Sequence, residues 1–245
     1  MGRVQSRVEL LRYTANPEEL VAMAAKLCYS SADIGELQKG IATRDQSPFL
    51  RKLTDMGHLS PIEHASFTFG VEGVSRSLLA QITRHRIASF SVKSQRYAGE
   101  GGTGGDGVFN YIIPPRIMEL GDDAVREFHR QMEQIQKWYE YWLEKLAPHG
   151  DAAREDARFV LPNAAETKLV VTMNARQLLH FFSVRCCNRA QWEIRNLAIE
   201  MLRLVRRVAP VLFRDAGPGC IAAPCPEGEM SCGKQAEVRE FFRRL

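Results

Sequence analysis

The chain has 245 residues, 45% of them hydrophobic, enough to build a core as one large domain or two small ones. Lys and Arg exceed Asp and Glu by only four, 33 against 29, and the pI is near 8.8. This mild basicity suits anionic small molecules and is too weak to argue for nucleic acid, while no apolar run approaches the ~20 residues of a membrane helix.

The amino terminus has no apolar signal core, so a cytoplasmic protein is expected, with its six cysteines as thiols rather than a disulfide framework. Residues 4–13 alternate loosely and predict a first strand. Asn16-Pro17-Glu18-Glu19 reads as a helix start: Asn caps, Pro takes the first helical position, and the carboxylates face the positive end of the dipole. That helix is expected to reach about Tyr29, with Leu20, Ala24 and Leu27 on one stripe. Ser47-Pro48 opens another by the same logic, ended by Gly57. Ser60 and Glu63 fit a capping box with Pro61 between them. In Ala65 to Glu72, Phe67, Phe69 and Val71 alternate with smaller or polar residues, as in a half-buried strand. Ser75 then caps a helix from about Arg76 to His85, whose end brings Gln81 and Arg84 onto one face.

The next stretch is the most informative. From Arg84 to Tyr97, 14 residues carry Arg84, Arg86, Lys93 and Arg96, one histidine, and hydroxyls on Ser89, Ser91, Ser94 and Tyr97. Arg84 and Arg86 flank His85, and adjacent helical residues point in different directions, so the three cannot all be one solvated helix surface. They read better as a helix end opening into a loop that wraps an anion, with guanidinium groups binding phosphate bidentately and hydroxyls and loop N–H groups completing the cradle. Residues 99–107 follow, with six glycines in nine positions. They lack the Gly-Lys-Ser/Thr ending of a phosphate loop and are expected to form a mobile loop beside the site.

Val108 to Ile113 predicts a strand stopped by Pro114-Pro115. Residues 116–147 are dominated by a long helix, whose stripe of Met132, Ile135, Trp138, Tyr139, Trp142 and Leu146 is core or subunit interface. Asp151 is expected to cap a helix running through Arg158 to Leu161. Thr167–Met173 is a strand, Asn174-Ala175-Arg176 turns into a helix ending at Arg185, and Asn188 starts a last long helix from Ala190 to Val208. On that helix Arg203, Arg206 and Arg207 read as a solvated face. His129 and His149 read as exposed. The expected fold is a single α+β domain over residues 1–245, an antiparallel or mixed sheet packed with long helices, with a cysteine-containing tail from about residue 210.

The spacing Arg84-His85-Arg86, seven residues, Ser94 resembles the signature of the flavin-dependent thymidylate synthases, the ThyX family. Further blocks follow the family's order: Gly57-His58 through Pro61 with Glu63-His64, Gln81, Ala157-Arg158 with Val160-Leu161-Pro162, Asn174-Ala175-Arg176, and Arg185 with Ala190 to Ile194. The resemblance implies a ThyX-like fold and a reductive methylation of dUMP to dTMP. The carbon comes from 5,10-methylenetetrahydrofolate, the hydride from FAD reduced by NADPH, and no protein nucleophile takes part. It implies that Ser60, Arg84, His85, Arg86, Asn174, Arg176 and His180 hold FAD. Gln81, Arg84, Ser94, Gln95, Arg96 and Arg158 are implied to hold dUMP. Arg185 is implied to touch the uracil ring and favour loss of its N3 proton, and His58 to help orient the folate or flavin. It also implies a homotetramer with active sites between subunits. One departure stands out: Val92 lies where many members carry an acidic residue.

The remaining candidates read more plainly. Cys186 and Cys187 beside Arg185 are small buried residues near a helix end rather than nucleophiles. Pro224-Cys225-Pro226 lacks the His that follows the cysteine of classical thymidylate synthase. His58, Glu63 and His64 match no common zinc spacing, and no metal is expected. Cys220, Cys225 and Cys232 give three sulfurs without an obvious fourth: thiols, a local disulfide, or a metal site. Arg176 and His180, four apart, share a helix face, whereas Arg185 lies nine residues on from Arg176, about 180° around, and is expected to serve a different surface. The rivals to a flavoenzyme are a basic nucleic-acid-binding module and a nucleotide-binding regulator without catalysis.

Overall fold

A computed structural model describes residues 4–100 and 107–245. The heart of the glycine-rich stretch, residues 101–106, lies outside the described residues. In chain order the elements are β1 (Arg7–Tyr13), α1 (Pro17–Leu27), α2 (Ile34–Ala42), α3 (Ser47–Asp55), β2 (Ser66–Ser75), α4 (Arg76–Ile82) and β3 (Ser89–Val92), then α5 (Pro115–Glu119), α6 (Asp122–Lys145), α7 (Ala152–Ala157), β4 (Glu166–Asn174), α8 (Ala175–Arg185), α9 (Trp192–Val208) and α10 (Gln235–Arg244). The four strands form one small antiparallel sheet in the order β1-β2-β4-β3. This is the α+β class expected. Among the described residues no helix is long and apolar enough to cross a membrane.

Contacts divide the chain into two compact units. The first comprises residues 1–7, 71–84 and 90–170. Its core gathers Val108, Phe109, Tyr111, Ile113, Met132 and Ala165. Residues 108–113, expected as a strand, pair only at an isolated antiparallel bridge between Tyr111 and Ala165. That bridge is made by Ile112 N donating to Ala164 O at 2.9 Å and Glu166 N to Asn110 O at 2.8 Å, while Phe109 N is satisfied by a side chain, donating to Gln136 Oε1 of α6 at 3.0 Å. His129, expected exposed, is half-buried and hydrogen-bonded to the Tyr111 hydroxyl. Gly73 is obligatory in this unit. It sits at φ 67°, and a Cβ there would lie 2.0 Å from the Gln5 carbonyl oxygen. Its N–H donates to Glu166 Oε1 at 3.0 Å, while Asn110 Nδ2 donates to Oε2 at 2.8 Å, so this buried carboxylate is satisfied on both oxygens. Asp151 does not cap α7 through its side chain, and the expected helix to Leu161 breaks into α7 and a single 3₁₀ turn, Arg158–Val160.

The second unit comprises residues 8–70, 85–89 and 171–245. α9 buries Ile194, Leu197, Ala198, Met201, Leu202 and Val205. Phe213 meets Phe67 and Phe182 edge-on at 5.4 and 6.0 Å. Several helix starts differ from expectation. Asn16 holds the cap position in a left-handed conformation, but its amide donates to Glu19 instead of capping. Ser60 is helical and makes no cap bond, so Pro61–His64 is only a 3₁₀ turn. α9 is capped by Gln191, which accepts from Glu193 N and Ile194 N, and not by Asn188, whose amide faces Cys232 Sγ at 3.7 Å. Elements α2, β3 and α10 are additions to those expected. Arg206, expected on a solvated face, instead donates to the carbonyls of Phe213, Arg214, Ala216 and Phe242.

Candidate active site

Ser75 starts α4 as expected, accepting from Leu78 N at 3.0 Å. The helix stops at Ile82, where Arg84 N still reaches Gln81 O at 3.4 Å, and a turn and a bend lead on to β3. Across this helix end the side chains alternate: Arg84 and Arg86 are exposed and His85 between them is buried. The signature is thus a pair of outward guanidinium groups around one inward imidazole.

The His85 ring packs edge-on against Phe181 at 4.9 Å and lies 6.2 Å from the His180 ring, both on α8. Arg185, at the end of the same helix, donates from Nε to His85 Nε2 at 2.9 Å. A nitrogen that accepts carries no proton, so His85 is neutral with its hydrogen on Nδ1. Burial, then the Arg185 charge, then His180 push its pKa down to about 4. The imidazole is an acceptor that orients a guanidinium.

α8 carries the rest of this group. Asn174 caps it, Oδ1 accepting from Gln177 N at 2.8 Å, so what Asn174 can offer outward is its amide hydrogens. Arg176 is exposed and paired with Glu63, and His180 is exposed one turn on. Arg176 and Arg185 do take different neighbours, Glu63 and His85, as the half-turn count predicts. The separation is incomplete, because His180 shares a face with Arg176 and approaches His85. His58 and Ser60 are exposed on the segment before β2. Exposed Arg86 and Arg176, the Asn174 amide and the exposed His180 imidazole are donors of the kinds that the diphosphate and ring edges of a dinucleotide accept from.

Ser94, Gln95, Arg96 and Arg158, the residues expected to hold the nucleotide, lie in the first unit, where Glu155 joins Arg96 and Arg158. Arg96 N donates to Ser94 Oγ at 3.2 Å, and the Arg96 guanidinium pairs with Glu155 at 2.9 Å. Arg158 Nε donates to Glu155 O at 3.0 Å, and Arg154 Nε to Arg96 O at 3.2 Å. Gln95 is buried with Nε2 unpartnered among the described residues. Arg76 belongs to this charge group too: burial lowers its pKa, the field of Glu100 opposes that, and Arg158 adds to it. Arg76, Arg154, Glu155 and Glu100 escaped the sequence reading. The available signal was the density of charge in Arg154-Glu155-Asp156-Ala157-Arg158.

Burial makes two of the cysteines, Cys186 and Cys220, poor nucleophiles. Cys186 is fully buried at the end of α8, and burial pushes its thiol up to about 12 despite the nearby charges of Arg195 and Arg206. Cys220, Cys225 and Cys232 are unbonded thiols. Burial, then the neighbouring thiols led by Cys225, raise the Cys220 pKa. No group of three metal-ligating side chains occurs among the described residues.

Comparison with known proteins bears on the family and the fold. A family model described as thymidylate synthase complementing protein matches residues 9–211. The flavin-dependent thymidylate synthase of Geobacter sulfurreducens is 51% identical over 239 residues, covering 98% of this chain and 99% of that protein. The protein of the same name from Clostridium tetani is 50% identical, covering 96% of each. Among solved structures, a UMP/dUMP methylase, PolB from Streptomyces cacaoi, bound with 5-Br dUMP, is similar with a TM-score of 0.67 at 26% identity, covering 86% of this chain and 94% of that one. A match over most of the length, at half identity, to proteins that share one name means that this chain belongs to the flavin-dependent thymidylate synthase family.

Proposed function

We propose that the chain converts dUMP to dTMP, using 5,10-methylenetetrahydrofolate as carbon donor and NADPH as reductant, as a cytoplasmic homotetramer with active sites formed between subunits. The observation that carries this reading is the 2.9 Å bond from Arg185 to His85, which fixes a guanidinium through a neutral acceptor. Held this way, Arg185 faces an electron-rich ring with its full charge. It stabilises negative charge that develops on uracil when the N3 proton leaves and C5 attacks, a contribution worth about 3 kcal/mol by analogy with oxyanion donors.

The other residues bind and orient. Ser94, Gln95, Arg96 and Arg158, with Gln81 and Arg84, hold the nucleotide. Arg96 must exchange its Glu155 partner for phosphate, an exchange between two anions with no buried charge left alone. Ser60, Arg84, Arg86, Asn174, Arg176 and His180 hold FAD, with His85 lining the same group, and His58 orients the folate or flavin ring. When bound, FAD supplies the hydride that turns the transferred one-carbon unit into a methyl group. With the Cys186 thiol pushed up to about 12, attack on the ring by this cysteine is disfavoured at neutral pH.

The test is release of tritium from [5-³H]dUMP by purified protein with NADPH and methylenetetrahydrofolate. The expected result is a yellow protein that bleaches on reduction, with tritium release matched by dTMP. Colour without tritium release would leave a flavin-binding regulator; neither, with retention on nucleic acid, would leave the basic binding module.

A further inference from the structure

The substrate-loop segment contains a buried ion pair. Glu100 has 1% of its side chain exposed, and Lys93 Nζ lies 2.9 Å from its Oε2 with 22% exposed. Both ends of the segment between them are anchored. Lys93 N donates to Lys168 O at 2.9 Å, and Glu100 N to the hydroxyl of the fully buried Tyr139 on α6 at 3.4 Å. Within the segment, Ala98 N donates to Ser94 O at 3.0 Å. The pair thus closes a loop of residues 94–99, which carries Ser94, Gln95 and Arg96.

An ion pair withdrawn from water gains little stability over apolar residues of the same shape, because desolvation offsets the attraction. What it does impose is geometry, since a lone buried charge of either sign is costly. Two buried polar atoms of this loop, Gln95 Nε2 and Glu100 Oε1, lack a protein partner among the described residues. In native structures such orphans are uncommon and call for a cause. Val92 leaves the strand before the loop without a carboxylate, and Glu100 is the buried carboxylate that the loop does carry.

We propose that Glu100 is a positioning residue for the nucleotide: by clasping Lys93 it sets the loop that presents Ser94, Gln95 and Arg96 to the phosphate and sugar of dUMP. This rests on the proposed function. On this reading Glu100 acts through the loop and not on the reacting ring or the cofactor, so its loss should weaken nucleotide binding and spare both chemistry and flavin.

The experiment compares Glu100→Ala, Glu100→Gln and the double variant Lys93→Met/Glu100→Met in the full-length protein. It reads dUMP Kd and KM, kcat, FAD content and Tm. Glu100→Ala is expected to raise dUMP Kd and KM about 10-fold, which corresponds to about 1.4 kcal/mol, with kcat and FAD content held within about 2-fold. Glu100→Gln keeps an acceptor for Lys93 and should recover part of the loss. The double variant removes both charges, so its Tm should return toward that of the parent while the dUMP defect persists; it decides the matter if Glu100→Ala fails to fold. The proposal is overturned if Kd for dUMP is unchanged in Glu100→Ala, or if the double variant regains dUMP binding together with stability. A parent protein that binds no dUMP at all would overturn the functional reading instead, and is told apart because it needs no variant.

Discussion

His85 sits in one protonation state because of what it receives. Its Nε2 accepts from Arg185, and its ring is walled by Phe181, so a proton added there would face burial and a fixed positive charge. His85→Gln keeps an acceptor near the same place, whereas His85→Leu removes this acceptor from Arg185. A hydrogen bond to a charged group is worth about 2 kcal/mol, so His85→Leu is expected to lower kcat/KM about 30-fold and His85→Gln much less. The pH dependence has a definite sign. The unfolded imidazole titrates near 6.5 and the folded one at about 4. Between these values the unfolded chain binds the proton and the native chain does not. This group's contribution to stability is therefore complete above 6.5 and declines as pH falls toward 4. Urea melts at pH 7, 5 and 4 should show a steeper decline for the parent than for His85→Gln. Cys186 gives a second expectation at this scale. With its thiol pushed up to about 12 and no surface exposed, it should resist iodoacetamide in the native protein at pH 8, while exposed Cys28 and Cys232 react. Cys186→Ala should keep kcat within about 2-fold, and a large loss would put the thiol back into the mechanism.

At the scale of elements, Arg206 of α9 holds the end of the chain in place. One guanidinium serves the carbonyls of Phe213, Arg214, Ala216 and Phe242, tying α10 and the turn after α9 to that helix. Arg206→Met should cost about 3 kcal/mol, since several acceptors lose a charged donor together, and Arg206→Lys should cost less but not nothing, because an ammonium cannot span the fork. Chemical denaturation of the two variants checks both. This clamp also marks where sequence reading stops. The strong local signals were legible: Ser75 before α4, Asn174 before α8, the alternation of Phe67, Phe69 and Val71, and the Arg84–Ser94 signature. Arg206 looked like a solvated residue because its acceptors lie 7 to 36 residues away and leave no periodic trace. Glu18 is similar: read as a helix-dipole carboxylate, it accepts from Val211 N and Leu212 N across more than 190 residues. Residues 108–113 have strand composition, yet tertiary packing against α6 uses the same apolar side chains without a ladder. At the site, the cationic residues were legible as types, whereas the partners that set them, Glu63, Glu155 and Glu100, depend on contacts that no spacing rule reaches.

At the scale of the whole molecule, the stripe of α6 divides into two parts. Met132 and Tyr139 are buried within the chain, while Trp138 and Trp142 keep 52% and 44% of their surface exposed, beside an exposed Tyr141. Trp138, Tyr141 and Trp142 fall within about one turn of the 24-residue α6, so this is a compact three-ring patch rather than one stray ring. Exposed aromatic clusters of this kind mark association surfaces, and Trp is prominent among the residues that carry interface energy. If the enzyme is a tetramer whose sites are shared between subunits, covering this face and making product are linked. The double variant Trp138→Glu/Trp142→Glu places two charges where a partner would exclude water. Light scattering should then show smaller species than the parent at equal concentration, and turnover per chain should fall with the tetramer fraction and recover as protein concentration rises. A variant that stays tetrameric with full turnover would mean that α6 faces solvent in the assembled enzyme and that the subunits meet elsewhere.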